Sequence, residues 1–218
     1  ISLSGTYVTQ WRDKSSIAND AISQYGEEPV FTNVDGLNAI RFTGSKRLFS
    51  TNKFTARDFR NVFIVAKYEL QNVFYSATGY VALFEAAVTG GSSNGNCFFA
   101  NSVSQTFTGT SFLGGAFYLN GTQISPDTNG RTVLPQLNTA LGIISSSSSS
   151  AVSVGGYALG SLREISSPWD GVICEVVSYG STLTTTERQK IEGYLAWKWN
   201  IVSLLPSDHP YKSTRPVV

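Results

Sequence analysis

The strongest constraint on the fold lies in the last fifth of the chain, where the pattern of apolar residues changes period. The run Trp169-Asp170-Gly171-Val172-Ile173-Cys174-Glu175-Val176-Val177-Ser178-Tyr179 has strand character and leads into the one convincing helical pattern of the sequence. Thr184 followed three residues later by Glu187 forms a capping box, in which a hydroxyl and a carboxylate each satisfy a free backbone N–H at a helix start. Ile191, Tyr194, Leu195 and Trp199 then recur at helical spacing as one apolar stripe. Gly193 interrupts it at a cost of about 1 kcal/mol relative to alanine, which makes sense if the missing side chain lets the helix sit close on a sheet. Pro206 and Pro210 cannot readily extend the helix, so the chain is expected to run back along the surface as an extended tail.

What precedes this point reads as β structure. Alternating segments separated by Gly, Asn and Ser clusters recur at Ala39 to Phe42, Arg47 to Phe49, Asn61 to Tyr68, Tyr80 to Phe84, Cys97 to Ala100, Ala116 to Ile124, Ala140 to Ile144, Val152 to Gly155 and Val172 to Tyr179. In Asn61 to Tyr68 both alternating sets are apolar, which marks a central strand covered on two faces. Asn120-Gly121 between two β-prone runs favours a type I′ hairpin, since both residues accept positive φ. Asn120-Gly121-Thr122 is also a glycosylation sequon, but the hairpin explains the flanks as well. The six serines from Ser145 to Ser150 are too polar to bury and too featureless to pair, and they are expected to form an exposed, mobile loop tip. Gly155, Gly156 and Gly160 continue that flexible region.

No internal repeat and no Pro-rich or charged linker divides the chain, so residues 1–218 form one domain, a common size for a sandwich or barrel. A hydrophobic share of 41% supports one large core, and a charged share of 14% is low for a helix-rich enzyme. Sixteen basic and fifteen acidic residues leave a net charge of +1, too little to gather nucleic acid. No apolar run reaches the roughly 18 residues that span a bilayer. A chain that begins at Ile1 and has no methionine reads as a piece of a longer protein. Cys97 and Cys174 fit neither a metal knuckle nor a redox motif. They form one disulfide or stay as two buried thiols, and the thiol reading is favoured because a domain with its own core can dispense with the bridge.

Several separated motifs together resemble the concanavalin A-like, laminin G-like jelly rolls of phage and bacterial surface proteins. Trp11-Arg12-Asp13-Lys14-Ser15 looks like the family's Trp-x-Asp-Lys-Ser opening, and Gly36-Leu37-Asn38-Ala39-Ile40-Arg41-Phe42 is similar to its next strand. Tyr118-Leu119-Asn120-Gly121 matches its hairpin. Gly171-x-Ile173-x-Glu175-Val176-x-x-Tyr179, Glu187-Arg188, Ile191-Glu192-x-Tyr194-Leu195-Ala196-x-Lys198-Trp199 and His209-Pro210-Tyr211 then follow in order. The resemblance implies an all-β fold, an antiparallel two-sheet jelly-roll sandwich with one C-terminal helix packed on it. Ser16 and Asn200 stand where the family often has glycine, which puts two local turns in question.

Hydrolases of that fold place paired acids at alternating positions of one strand, about 5 to 9 Å apart across the sugar. Here the strand holds Glu175 alone, with Ile173 and Val177 at the alternating positions, and Glu164 and Asp170 are not spaced to join it. No catalytic residue is therefore assigned, and Glu175 is read as a carboxylate that holds a neighbouring loop or amide. His209, the sole histidine, is given a packing and hydrogen-bonding role. Calcium is the ion most often met in this fold. Asp13, Asp20 and Asp170 are the foremost loop carboxylates for a structural calcium, with Asn19, Asp35 and Asp127 beside them. Trp11 and Trp199 are read as structural; the ligand-binding candidates are Tyr75, Tyr80 and Tyr157, in Gly/Ser-bearing loops, and Trp197, off the helix stripe.

The resemblance implies a non-enzymatic recognition or decoration domain of a phage fibre or virion surface protein, located at the virion surface or outside the cell. Its partners would be a host-surface glycan or polymer and other virion subunits, in a homo-oligomer such as fibres commonly form. One alternative is a purely structural or oligomerisation domain. A third reading is a glycoside hydrolase whose second carboxylate arrives from a loop.

Overall fold

Short runs of β-branched and aromatic residues joined by two-residue turns favour hairpins, and hairpins account for much of the architecture. The computed structural model describes residues 1–44, 46–50, 57–69, 83–87, 97–98, 115–125, 136–137, 140–154, 156–161 and 169–217. Among these the strands are β1 (Ser2–Ser4), β2 (Tyr7–Trp11), β3 (Ala21–Ile22), β4 (Val30–Val34), β5 (Leu37–Phe42), β6 (Leu48–Ser50) and β7 (Arg57–Tyr68). They continue with β8 (Phe84–Ala87), β9 (Cys97–Phe98), β10 (Ala116–Leu119), β11 (Thr122–Ile124), β12 (Gly142–Val154), β13 (Gly156–Leu159) and β14 (Gly171–Tyr179), and the helix α1 spans Thr185–Lys198. Among the described residues the protein is all-β apart from this helix and short helical turns. One continuous antiparallel sheet runs in the order β11-β10-β12-β7-β14-β5-β4-β2-β3-β6-β13-β8-β9, with β1 paired to β2.

The central strand is the one the alternation predicts. β7 lies between β12 and β14 and is buried on both faces: Val62, Ile64, Ala66 and Tyr68 enter one core, and Phe63 and Val65 enter another. The first core also takes Val8 from β2, Leu48 from β6, Phe84 from β8 and Leu159 from β13. Strands this far apart in the hydrogen-bonded order can share a core only if the sheet curves over it. The second core lies under α1, where Leu195, Ala196 and Trp199 pack with Val65, Ile143 and Val172.

The hairpin at Asn120-Gly121 forms as expected, with φ of 51° and 83° and Leu119 opposite Thr122. The serine run corrects the sequence reading. Ser145 to Ser150 lie within β12, and Ser145, Ser146 and Ser148 are buried. A serine strand can be buried when its ladder is filled on both sides: β12 pairs with β10 through Ser145–Ser147 and with β7 through the same residues. The Ser145 hydroxyl also donates to the Glu192 carboxylate at 3.0 Å, which offsets its loss of water. Gly156 likewise belongs to a strand, β13, and Gly160 sits in a packed turn where a Cβ would meet the Phe42 ring at 2.1 Å.

The capping box is present. The Thr184 hydroxyl accepts from the Glu187 N–H at 3.2 Å, and the Glu187 carboxylate accepts from the Thr184 N–H at 2.7 Å. At the other end Asn200 adopts a φ of 55° and the Ile201 N–H donates to the Ala196 carbonyl at 2.9 Å, a Schellman closure in which asparagine does the work of the expected glycine. Gly193 does allow a close approach, but to the tail rather than the sheet: an added Cβ would lie 2.5 Å from the Tyr211 Cβ. The tail is not extended either. A 3₁₀ turn at Val202–Leu204 follows α1, and the Lys212 ammonium donates back to the carbonyls of Val202, Ser203 and Leu205 at 3.1, 2.8 and 2.5 Å. Cys174 is a buried free thiol; burial first, then the charges of Glu175 and Asp35, push its pKa up to about 12. The side chain of Cys97 lies outside the described residues.

Candidate functional site

The site begins with a break in pairing. β14 pairs with β5 only through Gly171–Ile173, and its register against β7 shifts between Ile173 and Glu175. Such a bulge bends the strand that carries it. Beyond the bulge β14 stays on β7 but no longer pairs with β5, and a cleft of about 920 Å³ has Glu175–Gly180 on one side and Gly36–Asn38 on the other. Part of its apolar lining belongs to the edge of the first core, where Trp11, Tyr157 and Val176 are half-buried against Phe84 and Leu159, and Leu37, Cys174, Val177 and Trp199 come from the second. Arg12, Asp13, Lys14 and Ser15 supply a polar part of the lining.

The loop behind that lining is organised by two carboxylates. Asp13 accepts from the Ser15 N–H at 2.8 Å, the Ser15 hydroxyl at 2.7 Å and the Asn19 N–H at 2.9 Å. Burial alone would raise its pKa, but these three donors outweigh it and hold the carboxyl below its ordinary value. Asp20 accepts from the Asp13 N–H at 2.8 Å and the Gln10 side-chain amide at 2.6 Å. Ser16, the other departure from the resembled motif, lies in a turn of this loop, and it is Ala18 that takes the positive φ, 52°. Tyr157 is a strand residue of β13 rather than a loop residue. Its ring stacks on Phe84 at 6.0 Å and its hydroxyl donates to the Asn19 carbonyl at 2.8 Å, so it both lines the cleft and braces the loop. Burial, then the charges of Asp13 and Asp20, push its hydroxyl well above the usual tyrosine range.

On the opposite wall Glu175 accepts from the Lys198 ammonium at 2.8 Å and from the Trp199 indole N–H at 2.7 Å. It ties the end of α1 to β14, so its partners are the side chains of the last helical residue and its C-cap rather than a loop amide. Burial would lower the Lys198 pKa, but the hydrogen bond and charge of Glu175, with a contribution from Tyr194, raise it. Asp13 and Glu175 are the carboxylates lining the cleft, and both are engaged in this way.

The remaining sequence candidates are scattered. Asp170 accepts from the Gly44 N–H at 2.6 Å, and Asp35 occupies the β4–β5 turn with a φ of 50°. Among the described residues no three His, Cys, Asp or Glu side chains gather as a metal site. Trp197 is 37% exposed on α1, its indole N–H donates to the Tyr211 carbonyl at 2.9 Å, and it does not line the cleft. Tyr75, Tyr80, Asp127 and Glu164 lie outside the described residues. His209 is buried: its Nδ1 accepts from the Tyr211 N–H at 3.3 Å and its Nε2 lies 3.4 Å from Glu192. Glu192, wholly buried, also receives Arg188 at 2.6 Å on each oxygen, and the Arg188 guanidinium lies 3.7 Å over the Tyr118 ring. That cluster joins β12, the β10–β11 hairpin, α1 and the tail.

Sequence reasoning did not single out Arg12, Lys14 or the Val176–Tyr179 edge as site residues. The Trp11–Ser15 motif was visible, but nothing in residue order marks the bulge that opens the sheet. Among the described residues no helix is long and apolar enough to cross a membrane. Comparison of the chain with protein-family models, characterised proteins and solved structures gives no match.

Proposed function

We propose that this chain is a recognition domain of the concanavalin A-like jelly-roll kind, which holds a surface glycan or similar polymer in the β14–β5 cleft without cleaving it. The setting that fits this reading is a phage fibre or other virion surface protein, acting at the virion surface or outside the cell. The observation that carries it is the state of the cleft. It is concave, has aromatic walls at Trp11 and Tyr157 and a polar margin, and both lining carboxylates are already committed to internal partners. Asp13, held below its ordinary pKa by its donors, is a poor general acid. The curvature of the sheet over a shared core supports the two-layer sandwich.

A glycan array probed with the intact chain and with Trp11→Ala tests the proposal: the chain should select a small set of glycans and the variant should lose them. Absence of any bound glycan would end this reading. Exposed Leu3 and Tyr7 on β1 and β2 favour a second reading, an assembly subunit, and sedimentation showing a defined oligomer together with an empty array would establish it.

A further inference from the structure

The charge lining the cleft is unbalanced. Asp13 is held by three donors within its own loop, and Glu175 is paired with Lys198. Arg12 and Lys14, on either side of Asp13, are exposed, and their side chains make no ion pair or hydrogen bond among the described residues. The same cleft contains a second unsatisfied feature. From Glu175 to Tyr179 the edge of β14 that faces away from β7 has no backbone partner among the described residues. Five strand residues extend for roughly 17 Å, so this edge can follow several units of a chain rather than one ion.

Resting on the recognition reading above, we propose that the cleft selects an acidic, carboxylate-bearing polysaccharide, laid along the open edge of β14 with its carboxylates at Arg12 and Lys14. Backbone N–H and C=O groups of the edge can meet sugar hydroxyls of either polarity. A guanidinium matches a carboxylate with two parallel hydrogen bonds, and the lysine adds a point charge. The walls at Trp11 and Tyr157 offer apolar surface to the sugar rings. Nucleic acid is the poorer fit, because carbonyls of the open β14 edge would face its phosphate oxygens, whereas a polysaccharide presents hydroxyl donors to them.

The test is calorimetric titration of the intact chain with a panel of acidic polysaccharides, including polygalacturonic acid, each with its carboxylates free or methyl-esterified. At least one free-acid form should bind about tenfold more tightly than its ester at low salt, with the difference shrinking as salt screens the exposed cations. The Arg12→Gln/Lys14→Gln variant, folded by circular dichroism, should lose that preference and bind the ester as the parent does. Equal binding of acid and ester would overturn the charge selection while leaving recognition in place. So would a preference that survives in the variant, or an oligonucleotide bound as tightly as the acid polymer. No binding by any member in either form would overturn the charge selection, while the recognition reading stands or falls with the glycan array.

Discussion

Replacing Glu192 by glutamine should destabilise the protein more than any single surface change, because it leaves the Arg188 guanidinium buried without its counter-charge. Glu192 is fully enclosed, with side-chain exposure of 0% against 11% for Arg188, and it accepts Arg188 on both oxygens at 2.6 Å. Breaking one partner out of a buried ion pair costs about 3–5 kcal/mol. Glutamine retains one acceptor and Arg188 keeps its contact with the Tyr118 ring, which places the expected loss near the lower end, about 3 kcal/mol. For a domain of this length that corresponds to a fall in melting temperature of roughly 6 °C or more. Thermal and urea unfolding of Glu192→Gln measure it directly. The paired variant Arg188→Leu/Glu192→Leu should recover part of the loss, since neither charge then remains buried. Recovery stays incomplete, because the Ser145 hydroxyl loses its acceptor. A Glu192→Gln variant within about 0.5 kcal/mol of the parent would refute the view that this cluster locks tail, helix and sheet together.

Gly193→Ala gains about 1 kcal/mol of helix propensity but forces Tyr211 aside, so unfolding should show a net loss of about 1 kcal/mol that becomes a gain in a Tyr211→Gly background. The Asp13 loop should loosen in acid: its carboxyl pKa is lowered on folding, so its contribution is present above the ordinary value of 3.8 and is lost as pH falls through the depressed one. Amide exchange at Ser15 and Asn19 should therefore stay slow down to that ordinary value, and early loss of protection near pH 5 would contradict the hydrogen bonds assigned there. In a Cys97→Ser background Cys174 should resist thiol reagents at pH 8 in the folded protein and react once unfolded in urea, because a pKa of about 12 leaves roughly one thiolate in ten thousand.

Local chemistry made some elements readable from sequence. The Thr184 and Glu187 pair names its own hydrogen bonds, Asn120-Gly121 names its own backbone angles, and the doubly apolar run in β7 has only the interior to occupy. The misreadings arose where a distant partner reverses a local preference. The serine run looks solvated until β7 and β10 pair with Ser145–Ser147 and Glu192 accepts from the Ser145 hydroxyl, and the segment after the helix looks extended until Lys212 gathers three carbonyls. Tyr157, placed in a loop by its neighbouring glycines, is held in β13 by pairing with β6 and β8. The cleft was the least legible feature, because it exists through a register shift near Cys174 and the separation of two strands distant in the chain.

The most direct test of the central claim is a nuclear magnetic resonance titration of the intact chain with a polymer selected on the array, with the polymer's chain length measured before and after. Shifts should concentrate at Trp11, Arg12, Lys14 and Val176 to Tyr179, with the polymer recovered at its original length. Shifts confined to surfaces away from the β14–β5 opening, or a shortened polymer, would contradict the claim.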